Sequence, residues 1–307
     1  MWRSQTPLLT LGIALLVTAC ANQESEEPAQ RSKQAKPTVY VVNYPLQYFA
    51  ERIGAAHVDV VFLEEPEVDP AFWKPQPQQI VAYQSADLIL LNGANYARWV
   101  ATTSLPQSRL VDTSGSFAKD YIGFEDAVTH SHGPGGEHAH TGTASTTWLD
   151  LSQAAAQAQA ITDAFVAHWP KHAEAFVAAS RVLQADLLAL DREIAAVVDG
   201  DQQPIVASHP VYQYFARRYG VNLQSVMWET NEVPSELQWA ELRGLLELHP
   251  ARWMLWEGAP GSESASRLQA LGVASVVFHP CSNMLYDRDF LDVMRENVQS
   301  LKRVYGQ

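Results

Sequence analysis

The sequence contains very little cysteine. Cys20 and Cys281 are the only two cysteines among 307 residues. If Cys20 carries a lipid, as its position in the N-terminal segment suggests below, Cys281 has no partner for an internal disulfide. A protein without disulfides must be stabilised by a large hydrophobic core. A chain of this length with 47% hydrophobic residues can form one.

Positive charge is also scarce. The chain has 21 Lys and Arg against 34 Asp and Glu, which gives a formal net charge of −13 at pH 7. Nucleic-acid binding requires a basic face, so this balance disfavours a nucleic-acid partner. An acidic surface is compatible with a soluble domain and with a cationic ligand.

Long hydrophobic runs are missing except near the N-terminus. The run "PLLTLGIALLVTAC" follows Arg3 and ends at Cys20. It is too short for a spanning helix and is typical of an export signal. The ending "LVTAC" predicts a lipoprotein signal peptide over residues 1–19 and a lipid on Cys20. The alternative is an ordinary secretory signal with an incidental cysteine. Either way the protein is expected in the cell envelope, and with the lipid it is anchored to a membrane.

A polar segment, residues 20–37, follows the signal and predicts a flexible tether. Beyond it, short apolar runs typical of buried parallel strands alternate with helical patterns. The runs are "TVYVV" (38–42), "VDVVFL" (58–63), "ADLILLN" (86–92), "PIVAS" (204–208), "RWMLWE" (252–257) and "ASVVF" (274–278). This order predicts an α/β protein with two Rossmann-like, parallel-sheet lobes, residues 38–169 and 200–307.

One long helical pattern separates the two lobes, over residues 170–199. Apolar residues recur there at spacings of 7, 4, 3, 4 and 3, which is one face of a helix. They are Phe176, Leu183, Leu187, Leu190, Ile194 and Val197. Gly200 can end the helix. A helix of about 28 residues is about 42 Å long, so it can join one lobe to the other.

Histidines are concentrated in residues 129–141, within a segment (113–147) whose Gly, Ser and Thr content predicts a loop. The stretch "HSHGPGGEHAH" holds His130, His132, His138 and His140. Four imidazoles in so short a segment can bind a metal ion as a flexible cluster. The alternative is a polar, solvated loop without a metal.

Three further residues with metal-binding side chains follow or end predicted strands of the second lobe. His209 follows "PIVAS", Glu257 ends "RWMLWE" and His279 follows "ASVVF". Ligands of open α/β sheets bind beyond the carboxyl ends of the strands, so these side chains are expected to converge. Two imidazoles and a carboxylate form a known zinc-binding set. The alternatives are hydrogen-bonded loop histidines and a glutamate that only orients one of them.

These features are similar to one family over most of the chain. The relevant motifs are "DPAFWKPQPQQIVAYQSADLILLNG" (69–93), "TTWLD" (146–150), "SHPVYQYFARRYGV" (208–221), "WMLWEGAP" (253–260) and "VVFHP" (276–280). From residue 38 onward the chain resembles the solute-binding lipoproteins of zinc and manganese ABC transporters. The resemblance implies two α/β lobes, one long connecting helix and a metal ion held between the lobes.

The resemblance also implies four metal ligands, of which two are replaced here. Two expected histidines fall on Ala71 and Thr146, neither of which can supply an imidazole. The other two positions are His209 and His279. A histidine from residues 129–141 could compensate by entering the cleft. We therefore expect a site built from His209, His279, Glu257 and either His138 or His140, while His130 and His132 remain candidate metal ligands within the flexible cluster.

The expected function is capture of a divalent metal ion and its delivery to an ABC permease of the cytoplasmic membrane by a monomeric binding protein. Imidazole ligands favour zinc over manganese. Closure of the lobes would trap the ion, and protonation of the histidines below about pH 6.5 would release it. The alternative is a degenerate relative that binds a metal chelate, an organic ligand or a partner protein. A zinc hydrolase is disfavoured because neither an HExxH motif nor a nucleophile elbow is present.

Overall fold

The computed structural model describes residues 1–2, 35–63, 68–131, 137–285 and 288–306, and it leaves the side chains of 124–141 undescribed. Contacts divide the chain into residues 1–35 and 36–307, and the fold below is that of residues 36–307. The predicted lipid site, Cys20, lies outside the described residues. No helix in the described part of the chain has both the length and the hydropathy that a bilayer span requires.

The first lobe contains a four-stranded parallel sheet in the order β2-β1-β3-β4. Its strands are β1 (Thr38–Val41), β2 (Asp59–Phe62), β3 (Leu88–Leu91) and β4 (Leu110–Asp112). Helices α1 (Tyr44–Gly54) and α2 (Pro77–Ser85) connect the first three. The Asn43 side chain accepts a hydrogen bond from the Leu46 amide and so caps α1 directly after β1.

The second lobe repeats the same arrangement in the order β10-β9-β7-β8. The strands are β7 (Ile205–Ala207), β8 (Leu223–Ser225), β9 (Trp253–Trp256) and β10 (Ala274–Val277). The helices are α5 (Gln213–Tyr219), α6 (Glu236–Leu248), α7 (Ser262–Ala270) and α8 (Phe290–Val304).

Two long helices, α3 (Leu151–His168) and α4 (Ala173–Val198), lie between the sheets along the chain. The six apolar residues that predicted one helical face are all buried on α4. They belong to one continuous core that includes residues of both lobes. The predicted fold class, two parallel-sheet lobes with a long helix, is confirmed.

Parts of the segment 113–147, for which the composition predicts a loop, form regular structure. A short 3-10 turn (Gly115–Asp120) is followed by an antiparallel hairpin of β5 (Gly123–Ser131) and β6 (Glu137–Thr143). His130 is paired with His138, and Val128 with His140. Pairing of the two strands satisfies backbone groups that a loop would leave to water. The sequence lacks the apolar alternation that would have indicated strands.

Candidate metal centre

A small cavity with a volume of about 50 Å³ lies between the two lobes. Its lining includes Asp69, Ala71, Asn95, Arg98, Thr146, His209, Gln213, Glu257, Pro280 and Ser282. Several of these residues follow β3, β7, β9 and β10 at the carboxyl ends of the two sheets. The cavity is therefore where the topology of parallel sheets places a ligand.

His209 is the central imidazole of the cavity. It follows β7 by two residues and is only 4% exposed. Its Nδ1 lies 2.9 Å from Oε1 of Glu257, the first residue after β9. A proton on Nδ1 that is donated to the carboxylate leaves Nε2 as the metal-binding nitrogen of the neutral ring. Nε2 lies 3.9 Å from Oε1 of Glu229.

The electrostatic potential at His209 is negative. Burial of the ring acts to lower its pKa, but the hydrogen bond and charge of Glu257, with the charges of Glu229 and Asp69, raise the pKa above its ordinary value overall. The cavity thus stabilises positive charge at the imidazole. A divalent cation in the same place experiences the same attraction.

Asp69 and Glu229 are functional candidates that the sequence reasoning missed. Asp69 begins the motif "DPAFW", two residues before Ala71, the position at which the resemblance implies a histidine ligand. Glu229 follows β8, which is three residues long and contains Gln224 and Ser225. That strand has no apolar pattern, so the sequence does not reveal that Glu229 lies beyond the end of a strand.

His279 departs from the expected convergence. It lines a second cavity with Arg288 and Asn297 and does not line the cavity of His209. Its Nδ1 accepts a hydrogen bond of 2.8 Å from the Cys281 amide, which places the proton of the neutral ring on Nε2. Burial lowers its pKa, although the charge of Glu257 acts in the opposite direction. Of the three strand-end residues, His209 and Glu257 share a hydrogen bond, and His279 interacts with Glu257 through the charge of that carboxylate.

The two positions that lack the expected histidines, Ala71 and Thr146, do line the cavity. The Thr146 hydroxyl donates its hydrogen to the Val211 carbonyl and so joins the two lobes. The side chains of His130, His138 and His140, and all of His132, lie outside the described residues. Within the described part, no three His, Cys, Asp or Glu side chains form a group able to hold a metal ion. A complete set of metal ligands therefore requires either one more ligand or a movement of the side chains that line the cavity.

The sequence is similar to that of known proteins over most of its length. The family model described as zinc-uptake complex component A, periplasmic, matches residues 39–304. The chain is 26% identical to the high-affinity zinc uptake system protein ZnuA of Bacillus subtilis, over 94% of this chain and 93% of that protein. It is 25% identical to the zinc-binding protein AdcA of Streptococcus pyogenes serotype M1, over 88% of this chain but 56% of that longer protein.

Solved structures show the same fold. The crystal structure of the metal-dependent lipoprotein YcdH from Bacillus subtilis superposes with a TM-score of 0.74 and 22% identity, over 88% of this chain and 99% of that chain. The family match spans both sheets, α3 and α4, and it includes every motif on which the resemblance was based. The resemblance is confirmed, and the chain belongs to the ZnuA family of periplasmic zinc-uptake components.

Proposed function

We propose that this protein is the extracytoplasmic solute-binding component of an ABC transporter, which captures zinc between its lobes and delivers it to the permease. One observation carries the proposal: a buried histidine, His209, lines a small cavity between the lobes and experiences the charges of three carboxylates, Glu257, Glu229 and Asp69. Imidazole and carboxylate together are a common zinc-binding combination. The zinc named in the relatives' descriptions supports zinc over manganese.

The size of the cavity supports an ion as the cargo. A volume of about 50 Å³ accommodates roughly four water-sized spheres. Pockets for organic ligands are typically about 300–1,000 Å³. A partly hydrated metal ion fits, whereas a chelate or an organic ligand requires the cavity to expand.

The proposed ligands are Nε2 of His209 and carboxylate oxygens of Glu257, Asp69 or Glu229. Because these side chains do not form a complete group in the described structure, an imidazole from the hairpin completes the site in the proposal. His138 and His140 are the candidates. His279 is retained only as a ligand that a rearrangement of residues 279–282 would bring to the cavity.

The proposed location is the cell envelope, with the mature chain attached through a lipid on Cys20 and acting as a monomer beside the permease. The N-terminal sequence and the family support this placement. The proposed role is binding and not catalysis, since binding of a metal ion accounts for the residues that line the cavity.

The first test is zinc titration of the mature protein against a competing chelator, in parallel with His209→Ala. We expect one tight zinc ion per protein and loss of that site in the variant. His168→Ala is the matched control, because His168 is exposed on α3, where its Nδ1 lies 2.9 Å from the Ala164 carbonyl oxygen. Tight binding that persists in His209→Ala would contradict the proposal.

The contribution of the hairpin is tested separately. We expect replacement of His130, His132, His138 and His140 by Gln to weaken zinc binding in the cavity, because one ligand is lost. The same titration with manganese should show weaker binding than zinc and a smaller effect of the variant. Unchanged zinc affinity would remove the hairpin from the site and leave the carboxylates as its remaining ligands.

A further inference from the structure

A groove in the first lobe lies directly beside the cavity of His209. Its volume is about 530 Å³, which is within the range of pockets that hold small organic molecules, about 300–1,000 Å³. Ala71, Phe72 and Arg98 line both the groove and the cavity. The two spaces therefore adjoin, and a molecule in the groove lies next to an ion in the cavity.

Ala71 lies at the junction of the groove and the cavity, in a loop that is held by hydrogen bonds. Its amide donates to Oδ1 of Asp69 at 2.9 Å, and the Phe72 amide donates to the Asp69 carbonyl at 3.0 Å. The family resemblance implies a histidine at this position, and an imidazole would occupy space at the junction. The small alanine side chain leaves that space to a group from outside the protein.

The wall of the groove is aromatic, and its rings hold one another in place. Trp73 and Trp99 lie edge to face with 5.8 Å between ring centroids, and Tyr83 packs against Trp99 at 4.8 Å. The Tyr83 hydroxyl donates to the Val41 carbonyl at 2.8 Å, which fixes this cluster to the first sheet. Such a wall offers an apolar surface against which a planar ring can pack.

The charge of the groove is opposite to that of the whole protein. Within the described part of the chain its lining contains Lys74 and Arg98 and no Asp or Glu, although the net charge of the chain is −13. The Arg98 guanidinium lies over the Phe72 ring, 4.8 Å from its centroid. A guanidinium presents N–H donors in a geometry that matches a carboxylate. The groove therefore fits an anion with a planar, apolar body.

We propose that the groove binds a small aromatic carboxylate, which reaches past Ala71 and supplies a ligand to zinc in the cavity. The inference rests on the proposed function and adds an organic co-ligand to the same site. The ring packs against the aromatic wall, one carboxylate oxygen accepts from Arg98 and the other binds zinc. Zinc commonly takes four ligands, and the described residues do not form a complete set, so a position is open to the co-ligand.

Benzoate is the probe, because it has one planar ring and one carboxylate. Zinc is titrated against a competing chelator with and without saturating benzoate, and benzoate binding with and without zinc is followed by tryptophan fluorescence. We expect each ligand to raise the affinity of the other about tenfold and by the same factor, because coupling between two sites is reciprocal. Benzamide, which has the ring without the charge, should leave zinc affinity unchanged.

A groove variant separates this effect from zinc binding itself. Ile80 lies on α2 and lines the groove but not the cavity, so Ile80→Trp fills the groove with a larger side chain. We expect its zinc affinity to equal that of the wild type without benzoate and to stay unchanged when benzoate is added. Val81→Trp is the matched control, because Val81 is the next residue of α2 and is 61% exposed outside the groove. It should respond to benzoate as the wild type does.

The outcomes distinguish this inference from the proposed function. Zinc affinity that stays the same or falls with benzoate in the wild type would overturn the inference, as would a full response to benzoate in Ile80→Trp. In both cases tight zinc binding without benzoate would leave the proposed function in place. A wild-type protein that binds zinc neither alone nor with benzoate would overturn both.

Discussion

Glu257 has two effects at the scale of single residues. Its Oε1 fixes the His209 ring through Nδ1 at 2.9 Å, and its charge raises the pKa of that ring. Both effects favour a cation at Nε2. The hydrogen bond orients the ring so that Nε2 is available, and the negative charge of the carboxylate attracts the cation. Metal affinity should therefore depend on the carboxylate and not only on the imidazole.

We predict that Glu257→Gln lowers zinc affinity about 10–100-fold, because Gln can still reach Nδ1 but carries no negative charge. Chelator competition measures the change. Glu263→Gln is the control, since Glu263 is exposed at the start of α7. Equal affinity of Glu257→Gln and the wild type would show that the carboxylate has no role in binding.

Zinc affinity should depend on pH through His209. Zinc and a proton compete for Nε2, so affinity falls as pH is lowered through the pKa of the ring. Burial lowers that pKa, but the three carboxylates raise it above 6.5 overall, so the loss should begin at a higher pH than for an ordinary histidine. Titrations between about pH 5.5 and 8.5 should show this, and the loss should begin at a lower pH in Glu257→Gln. If zinc affinity instead began to fall at a higher pH in Glu257→Gln, the charge of Glu257 would not be raising the pKa of His209.

Ala71 offers a gain-of-function prediction. It lines the cavity and also an adjoining groove with Trp73 and Trp99, so a larger side chain has space. Ala71→His adds an imidazole to an incomplete set, and we expect zinc affinity to rise about tenfold. A fall in affinity would mean that the new ring fills the ion's position. Ala71→Leu is the control for size alone.

At the scale of secondary-structure elements, a buried ion cluster joins α3, α4 and α5. Asp191 on α4 is 5% exposed and accepts from Arg218 at 2.9 and 2.6 Å and from Tyr219 at 3.0 Å. Arg218 also lies 3.7 Å from Asp150, which caps α3. The cluster fixes the helix after the His209 loop against the two central helices.

Arg218→Met should reduce the free energy of unfolding by about 2 kcal/mol, because it leaves a buried carboxylate without its cation. The value is at the low end for such a loss because the Arg218 side chain is 39% exposed and water can replace part of the bond. Urea unfolding measures it. Arg295→Met, in an exposed pair with Asp292, should change stability by less than about 1 kcal/mol. Equal losses in the two variants would contradict a special role for the cluster.

The sequence predicted the helices and strands whose apolar residues recur at a regular spacing within one short segment. The spacing from Phe176 to Val197 predicted α4, because a buried helix repeats its apolar face every turn. The hairpin was missed because its strands are stabilised by pairing with each other and carry no apolar alternation. After His279 the chain turns at Cys281, which has a φ of +60°. The Cys281 amide then bonds the His279 ring, and strand order alone does not show such a turn.

At the scale of the whole molecule, the lobes are joined by direct contacts between their own residues. The Trp148 indole donates to the Pro280 carbonyl at 2.7 Å, and the Tyr44 amide donates to the Ser282 carbonyl at 3.1 Å. The Asn283 side chain donates to the Val68 carbonyl at 3.0 Å. One hydrophobic core also continues from the first sheet through α3 and α4 to the second. A wide hinge motion would break several of these contacts at once.

Zinc binding should therefore change the overall dimensions very little, in contrast to the lobe closure expected from the sequence. We predict a change in radius of gyration of less than about 1 Å between the zinc-free and zinc-bound protein, measured by small-angle X-ray scattering. Trp148→Phe removes one bond between the lobes and should enlarge the difference, whereas Trp253→Phe on β9 should not. A decrease of several ångströms in the wild type would show that these contacts break without zinc. The ion would then enter by separation of the lobes and not by local movement of the His209 loop and the hairpin.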